Sequence, residues 1–150
     1  MVNRFNEVFV ETAAEKLGAL APDQAPEWGS MRPPQVLAHL TTAVRYSLNK
    51  ETLTPNEGGF LGRYIAKPLI FGGLLKLPKG AKAPKFYEAA GPEGSAEALK
   101  AEGLDFVQQF EARSLDPPAH PFFGPLSLDQ WAFLHRIHFQ HHLKQFGIEL

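Results

Sequence analysis

The placement of proline most constrains the fold of this chain. Its 150 residues include 13 prolines, and none falls within the windows 1–21, 35–54, 93–116 and 126–150. Proline inside a helix removes a hydrogen bond and clashes with the preceding turn, so helix interiors avoid it. Each window is long enough for a helix, whereas five prolines lie between residues 55 and 92. The proline pattern therefore predicts four helices, with a long connection between the second and the third.

Apolar residues repeat at the helical period within these windows, as expected for helices that bury one face. The predicted inner face of the first helix carries Phe5, Val8, Phe9, Thr12, Leu17 and Leu20. Asn3 and Ser95 are predicted N-caps of the first and third helices. Ser127 and Gln130 have the spacing of a capping box for the fourth. We predict an all-α fold, a four-helix bundle with a long crossover connection between helices 2 and 3 and a short helix near 60–66.

Composition limits the functional classes. The length favours a single domain over 1–150. The net charge of −1 and the missing one-sided basic stripe argue against nucleic-acid binding. The chain has no cysteine, which excludes thiolate catalysis and cysteine-based zinc sites. Charged residues and Pro68 interrupt the apolar stretch 58–77, so a membrane span is not expected. We expect a cytoplasmic protein with a small-molecule partner; a homodimer through 58–77 stays open.

Four of the six histidines lie in the stretch HRIHFQHHLKQF, residues 135–146. On a helix, His135, His138 and His142 fall within an arc of about 60°, while His141 points away. His138 and His142 are one turn apart, a spacing that lets two imidazoles share one metal ion. The glutamate that follows the first histidine in the protease motif His-Glu-x-x-His is absent, which argues against a zinc protease of that type.

A third ligand from another helix would complete such a site. His39 is the only histidine of the second helix, and a bundle could bring it opposite His138 and His142. Three imidazoles with one open position are typical of catalytic zinc sites, and nitrogen donors also suit nickel, copper or iron. The alternative is a solvated histidine face, with His39 as a hydrogen-bonded boundary residue.

The motifs and their order resemble a known family. The matching pieces are WGSM (28–31), QVLAHL (35–40), HPFFGPLS (120–127) and HFQHHLKQF (138–146). Together they resemble the DinB-like (YfiT-like) superfamily of metalloenzymes, over nearly the whole chain. That family has one histidine on the second helix and a His-x-x-x-His-x-x-Gln run on the last. Here the corresponding residues are His39, His138, His142 and Gln145.

The resemblance implies a four-helix bundle and a divalent ion, nickel or zinc, held by His39, His138 and His142. It also implies a small thiol cosubstrate, since some members are thiol transferases or isomerases. Arg32 stands where a serine or threonine cap is expected before the second helix, a departure that leaves the ligand set untouched.

Other residues are candidates for the surroundings of the ion. Gln145 could hydrogen-bond a ligand or a bound water, and Gln35 and Tyr46 could line the pocket. His135 is a candidate for ligand support or substrate contact, although a surface role is favoured. His120 lies in a loop that could border the site, although a structural turn is favoured.

The sequence favours a metal-dependent enzyme, a thiol-dependent transferase or a hydrolase, without assigning a catalytic residue. The alternative is a non-catalytic bundle that binds a metal or a small ligand, and a third reading is a purely structural ion. Substrate, metal and oligomeric state stay open.

Overall fold

A computed structural model describes residues 4–52, 61–73 and 94–150 of the protein. Its helices are α1 (Glu7–Gly18), α2 (Pro33–Ser47), α3 (Lys67–Phe71), α4 (Ala96–Glu111) and α5 (Leu128–Lys144). A π-helical turn, Leu61–Ala66, runs directly into α3 and lies where a short helix is predicted. No strand occurs in these ranges, so the predicted all-α fold is confirmed.

The four long helices pack as a bundle. α1 packs against α2 and α4, and α2 also packs against α4 and α5. None of the helices in the described ranges is long and apolar enough to cross a membrane. The rest of the predicted crossover, 53–60 and 74–93, lies outside the described residues, so the crossover stays a prediction, as does the single domain.

The core lies where the inner faces of the four long helices meet. Its fully buried side chains include Val10, Leu17, Val36, Leu40, Val44, Leu99, Phe106, Trp131, Phe139 and Leu143. Val8 is 71% exposed, which corrects its predicted place on the inner face of α1. It precedes Phe9 by about 100° around the helix and so lies outside the buried arc.

Helix starts follow the sequence signals, with one shift. Ser95 caps α4, and Ser127 with Gln130 forms the capping box of α5, as predicted. The cap of α1 is Asn6, whose Oδ1 accepts from Phe9 N at 2.9 Å. The predicted cap, Asn3, lies outside the described residues.

The start of α2 shows how the helix forms without a serine or threonine cap. Pro33 and Pro34 occupy its first positions, where proline removes N–H groups that would have no partner. Arg32 N donates to Gln35 Oε1 at 2.8 Å, and the Arg32 guanidinium donates to Asp23 O at 3.0 Å. The exposed Gln35 side chain therefore holds the helix start, and its place in the pocket wall stays a prediction.

Gly103 allows α1 and α4 to approach closely. A Cβ added at Gly103 would lie 2.5 Å from Val10 Cγ1. Val10 is completely buried, and a β-branched side chain has one strongly preferred rotamer in a helix, so it cannot turn away.

Gly103→Ala is therefore expected to destabilise the protein although alanine is the better helix former. The gain in helix propensity is about 1 kcal/mol, whereas overpacking costs about 1–3 kcal/mol. Urea denaturation should show a lower free energy of unfolding for Gly103→Ala. Val10→Ala makes room for the new methyl group, so the double variant should be more stable than Val10→Ala alone. A Gly103→Ala protein more stable than wild type would contradict this account.

Candidate metal centre

The packing of α2 against α5 brings three histidines together. His39 lies in the middle of α2, and His138 and His142 lie one turn apart on α5. Their candidate ligand atoms all lie within 4.8 Å of one another. The Nε2 atoms of His39 and His138 are 2.8 Å apart, and the His39 ring centroid lies 4.8 Å from each of the other two. The structure thus brings together the three residues that the sequence singles out as metal ligands.

Burial keeps two of these imidazoles, those of His138 and His142, neutral. His39 and His142 are buried, while His138 is partly exposed. Burial, followed by the neighbouring His39, lowers the pKa of His142 to about 3. The same two causes hold the pKa of His138 well below its usual value. Neutral imidazole is the form that binds a metal, so His138 and His142 can each offer a lone pair at neutral pH.

The donor set fits a divalent ion. Two nitrogens bound to one tetrahedral ion at about 2.0–2.1 Å are about 3.3 Å apart. The 2.8 Å between Nε2 of His39 and Nε2 of His138 lies below that value and the 4.8 Å limit of the cluster lies above it, so small side-chain shifts would satisfy the geometry. Nitrogen-only donors suit zinc, nickel, copper or iron, and three protein ligands leave a position open.

Gln145 determines which nitrogen of His142 faces the cluster. Its Oε1 lies 2.7 Å from His142 Nδ1, and its Nε2 donates to Trp28 O at 3.3 Å. A backbone carbonyl only accepts, so the amide NH₂ must face Trp28 and the amide oxygen must face His142. His142 Nδ1 then carries the proton, and the lone pair lies on Nε2.

His141 borders the cluster without joining it. It is half-buried, with its ring centroid 5.1 Å from that of His142 and 6.3 Å from that of Trp28. It is not part of the group of three that could hold an ion.

His135 is not on the surface, which corrects the favoured sequence interpretation. It is 1% exposed, its Nε2 lies 2.8 Å from Ser47 Oγ, and its ring packs between Phe106 and Trp131. The face of α5 that points toward α2 also points into the core. His135 lies on this face, one turn before His138, and is the more deeply buried of the two. Sequence reasoning missed Ser47, because a serine in the last turn of a helix carries no signal of its partner.

His120 and Tyr46 are held by structural contacts. His120 Nδ1 accepts from Phe122 N and Phe123 N at 3.0 and 3.1 Å, so the ring organises a turn, the interpretation favoured from sequence. The Tyr46 hydroxyl donates to Ala119 O at 2.6 Å, and burial raises its pKa. Its hydroxyl therefore links α2 to the loop before α5, and its place in the pocket wall stays a prediction.

Comparison with known proteins places the chain in a family. Residues 62–148, more than half of the chain, match the model of a family described as a protein of unknown function, DUF1569. The chain belongs to the DUF1569 family. The matched residues include His138, His142 and Gln145, while His39 lies before them. No curated protein and no solved structure matches this DUF1569 protein.

The buried histidines outside the cluster make the fold sensitive to acid. Burial lowers the pKa of His120 and of His135 to about 3. In the unfolded chain an imidazole has a pKa of about 6.5. Between these values the unfolded state binds more protons than the folded state, so stability falls as the pH falls. The stability tied to neutral His120 is complete above about pH 6.5 and is lost toward about pH 3.

His120→Asn tests this origin of acid sensitivity. Asparagine keeps an acceptor oxygen for the two backbone N–H groups but does not titrate. Urea denaturation of metal-free protein between about pH 4 and 6 should show a flatter pH dependence for the variant, by about 1.4 kcal/mol per pH unit. The two slopes should agree above about pH 7. Parallel slopes throughout the acid range would contradict the assignment.

Proposed function

We propose that this protein is a metal-dependent enzyme of the DinB-like type, a thiol-dependent transferase or a hydrolase acting on a small molecule. His39, His138 and His142 would hold a divalent ion, nickel or zinc. The observation that carries the proposal is the convergence of three imidazoles from two helices, with candidate ligand atoms within 4.8 Å of one another. The order of the motifs, which resembles that superfamily, supports it, and the missing cysteines are consistent with a cytoplasmic location.

When bound, the ion supplies Lewis acidity, which polarises a carbonyl group or activates a water or thiol for attack. The residues of the chain supply the rest. His39 and His142 exclude water from the inner side of the cluster because they are buried, and Gln145 orients His142. The partly exposed His138 leaves access for a substrate.

The charge of the cluster indicates the chemistry of its partner. The donors are three imidazoles, which bind a metal in their uncharged form, and no carboxylate belongs to the group. A dication held by neutral ligands keeps its charge, so an anionic or readily ionised substrate group, such as a thiol, is favoured at the open position. A cosubstrate thiol would supply what a chain without cysteine lacks.

One observation favours a second candidate, a non-catalytic bundle that binds a metal or a small ligand. The described cluster consists of three imidazoles, and all three would be donors to the ion, so it leaves no side chain to act as a general base. This alternative predicts ion or ligand binding without turnover.

Metal analysis tests the proposal. Tag-free protein, loaded with nickel or zinc and desalted, should contain about one ion per chain by mass spectrometry of the elements. His39→Ala and His138→Ala should each weaken binding by more than about 100-fold, since even the outer partners of ligands contribute about 10–100-fold. His141→Ala, a neighbouring histidine outside the cluster, is the matched control and should bind as wild type does.

Turnover then separates the two candidates. Loaded wild type should convert thiol-acceptor or ester substrates, and the His39→Ala protein should not. Equal activity of metal-free and loaded protein would overturn the enzyme proposal. No ion in any sample would overturn the enzyme proposal and would leave only the bundle that binds a small ligand.

A further inference from the structure

The loop between α1 and α2 contacts Gln145 through three consecutive residues. Glu27 N donates to the backbone carbonyl of Gln145 at 2.7 Å. Trp28 O accepts from Gln145 Nε2 at 3.3 Å. Gly29 has a φ of +81°, and a Cβ added there would lie 2.8 Å from the same Nε2. The loop therefore touches both the backbone and the side chain of the residue that holds His142.

We infer that the backbone of residues 27–29 sets the tautomer of His142 and so determines whether its Nε2 can donate to an ion. The consequence for ion affinity rests on the proposed function. The tautomer itself is a property of the metal-free protein.

The two orientations of the Gln145 amide would have opposite effects on the tautomer of His142. With Oε1 toward His142, the proton lies on Nδ1 and the Nε2 lone pair is available. With the amide turned over, NH₂ would face Nδ1, the proton would move to Nε2, and His142 would lose its lone pair for the cluster. Turning over would also place Oε1 against Trp28 O, two acceptors with no proton between them. The carbonyl of Trp28 therefore selects the form of His142 that can bind a metal.

Gly29 is needed for this arrangement on two counts. Its positive φ is one that residues with a Cβ rarely adopt, and any Cβ would press on the amide nitrogen that Trp28 holds. Gly29 and the Trp28 carbonyl are thus positioning groups, because they act on the cluster only through Gln145. Two hydrogen bonds, from Gln145 to Trp28 and from His142 to Gln145, connect the loop to the ligand.

The tautomer can be read directly by long-range proton–nitrogen NMR of metal-free protein with ¹⁵N-labelled histidine, near pH 7.5. Wild type should show His142 protonated on Nδ1 alone. Gly29→Ala should give a mixture of tautomers and bind zinc about 10–100-fold more weakly, the range typical of a lost outer partner. Gly73→Ala is the matched control. Gly73 has a φ of +77°, and no atom of the residues that the structure describes lies within 4 Å of an added Cβ, so it carries the same backbone strain away from Gln145.

A rescue distinguishes positioning from general damage. A carboxylate can only accept, so Gln145→Glu in the Gly29→Ala background should restore the Nδ1 proton whatever the loop does. Gln145→Ala, which removes the amide, should give the mixture even with the loop intact, and it serves if Gly29→Ala does not fold. A loss that Gly73→Ala reproduces would overturn the inference, because strain alone would then explain it.

The failure of this inference differs from that of the proposed function. A single Nδ1–H tautomer in both Gly29→Ala and Gln145→Ala, or an Nε2–H tautomer in wild type, would overturn the inference even if every sample binds zinc. If the tautomers change as expected and no sample binds an ion, the loop's control of His142 is supported and the metal-dependent function is overturned.

Discussion

The contact between α2 and α5 is the interaction on which the interior of this protein depends. Most of the core that the structure describes is apolar, but this seam carries imidazoles and a hydroxyl. Burying polar groups is costly unless they find partners, and here they find one another across the two helices. Ser47 with His135 occupies one level, and the cluster around His39 occupies the next. A shift of either helix along its axis would separate both pairs, so the polar groups specify how the two helices align.

Burial of these imidazoles has two opposite effects: it favours metal binding and it lowers the stability of the fold in acid. Enclosed imidazoles stay neutral and can therefore act as donors. Burial also requires the imidazoles to stay unprotonated in the folded state, a requirement that apolar side chains of similar size would not impose. A sequence selected for stability alone would place leucine or phenylalanine at such positions. Histidine at more than one level of this seam is what the proposed metal-dependent function would require, at some expense of stability.

Local rules predicted much of this structure. Proline-free windows located the long helices, and Ser95 and Ser127 marked two of their starts. The spacing of His138 and His142 indicated a shared face. Spacing describes direction around a helix, however, and not depth in the bundle, so His135 was expected outside. The contact between residue 28 and Gln145 joins parts of the chain more than 100 residues apart, with no local signal in either.

The position of the cluster near the end of α5 has an electrostatic consequence. His142 lies in the last turn of a helix that ends at Lys144. The peptide dipoles of a helix sum to roughly half a negative elementary charge at that end, because its last carbonyl groups have no partners within the helix. This partial charge would attract a cation to a cluster whose donors are themselves neutral. The backbone of α5 thus offers part of the negative potential that carboxylates supply in other sites, and it does so without adding a titratable group.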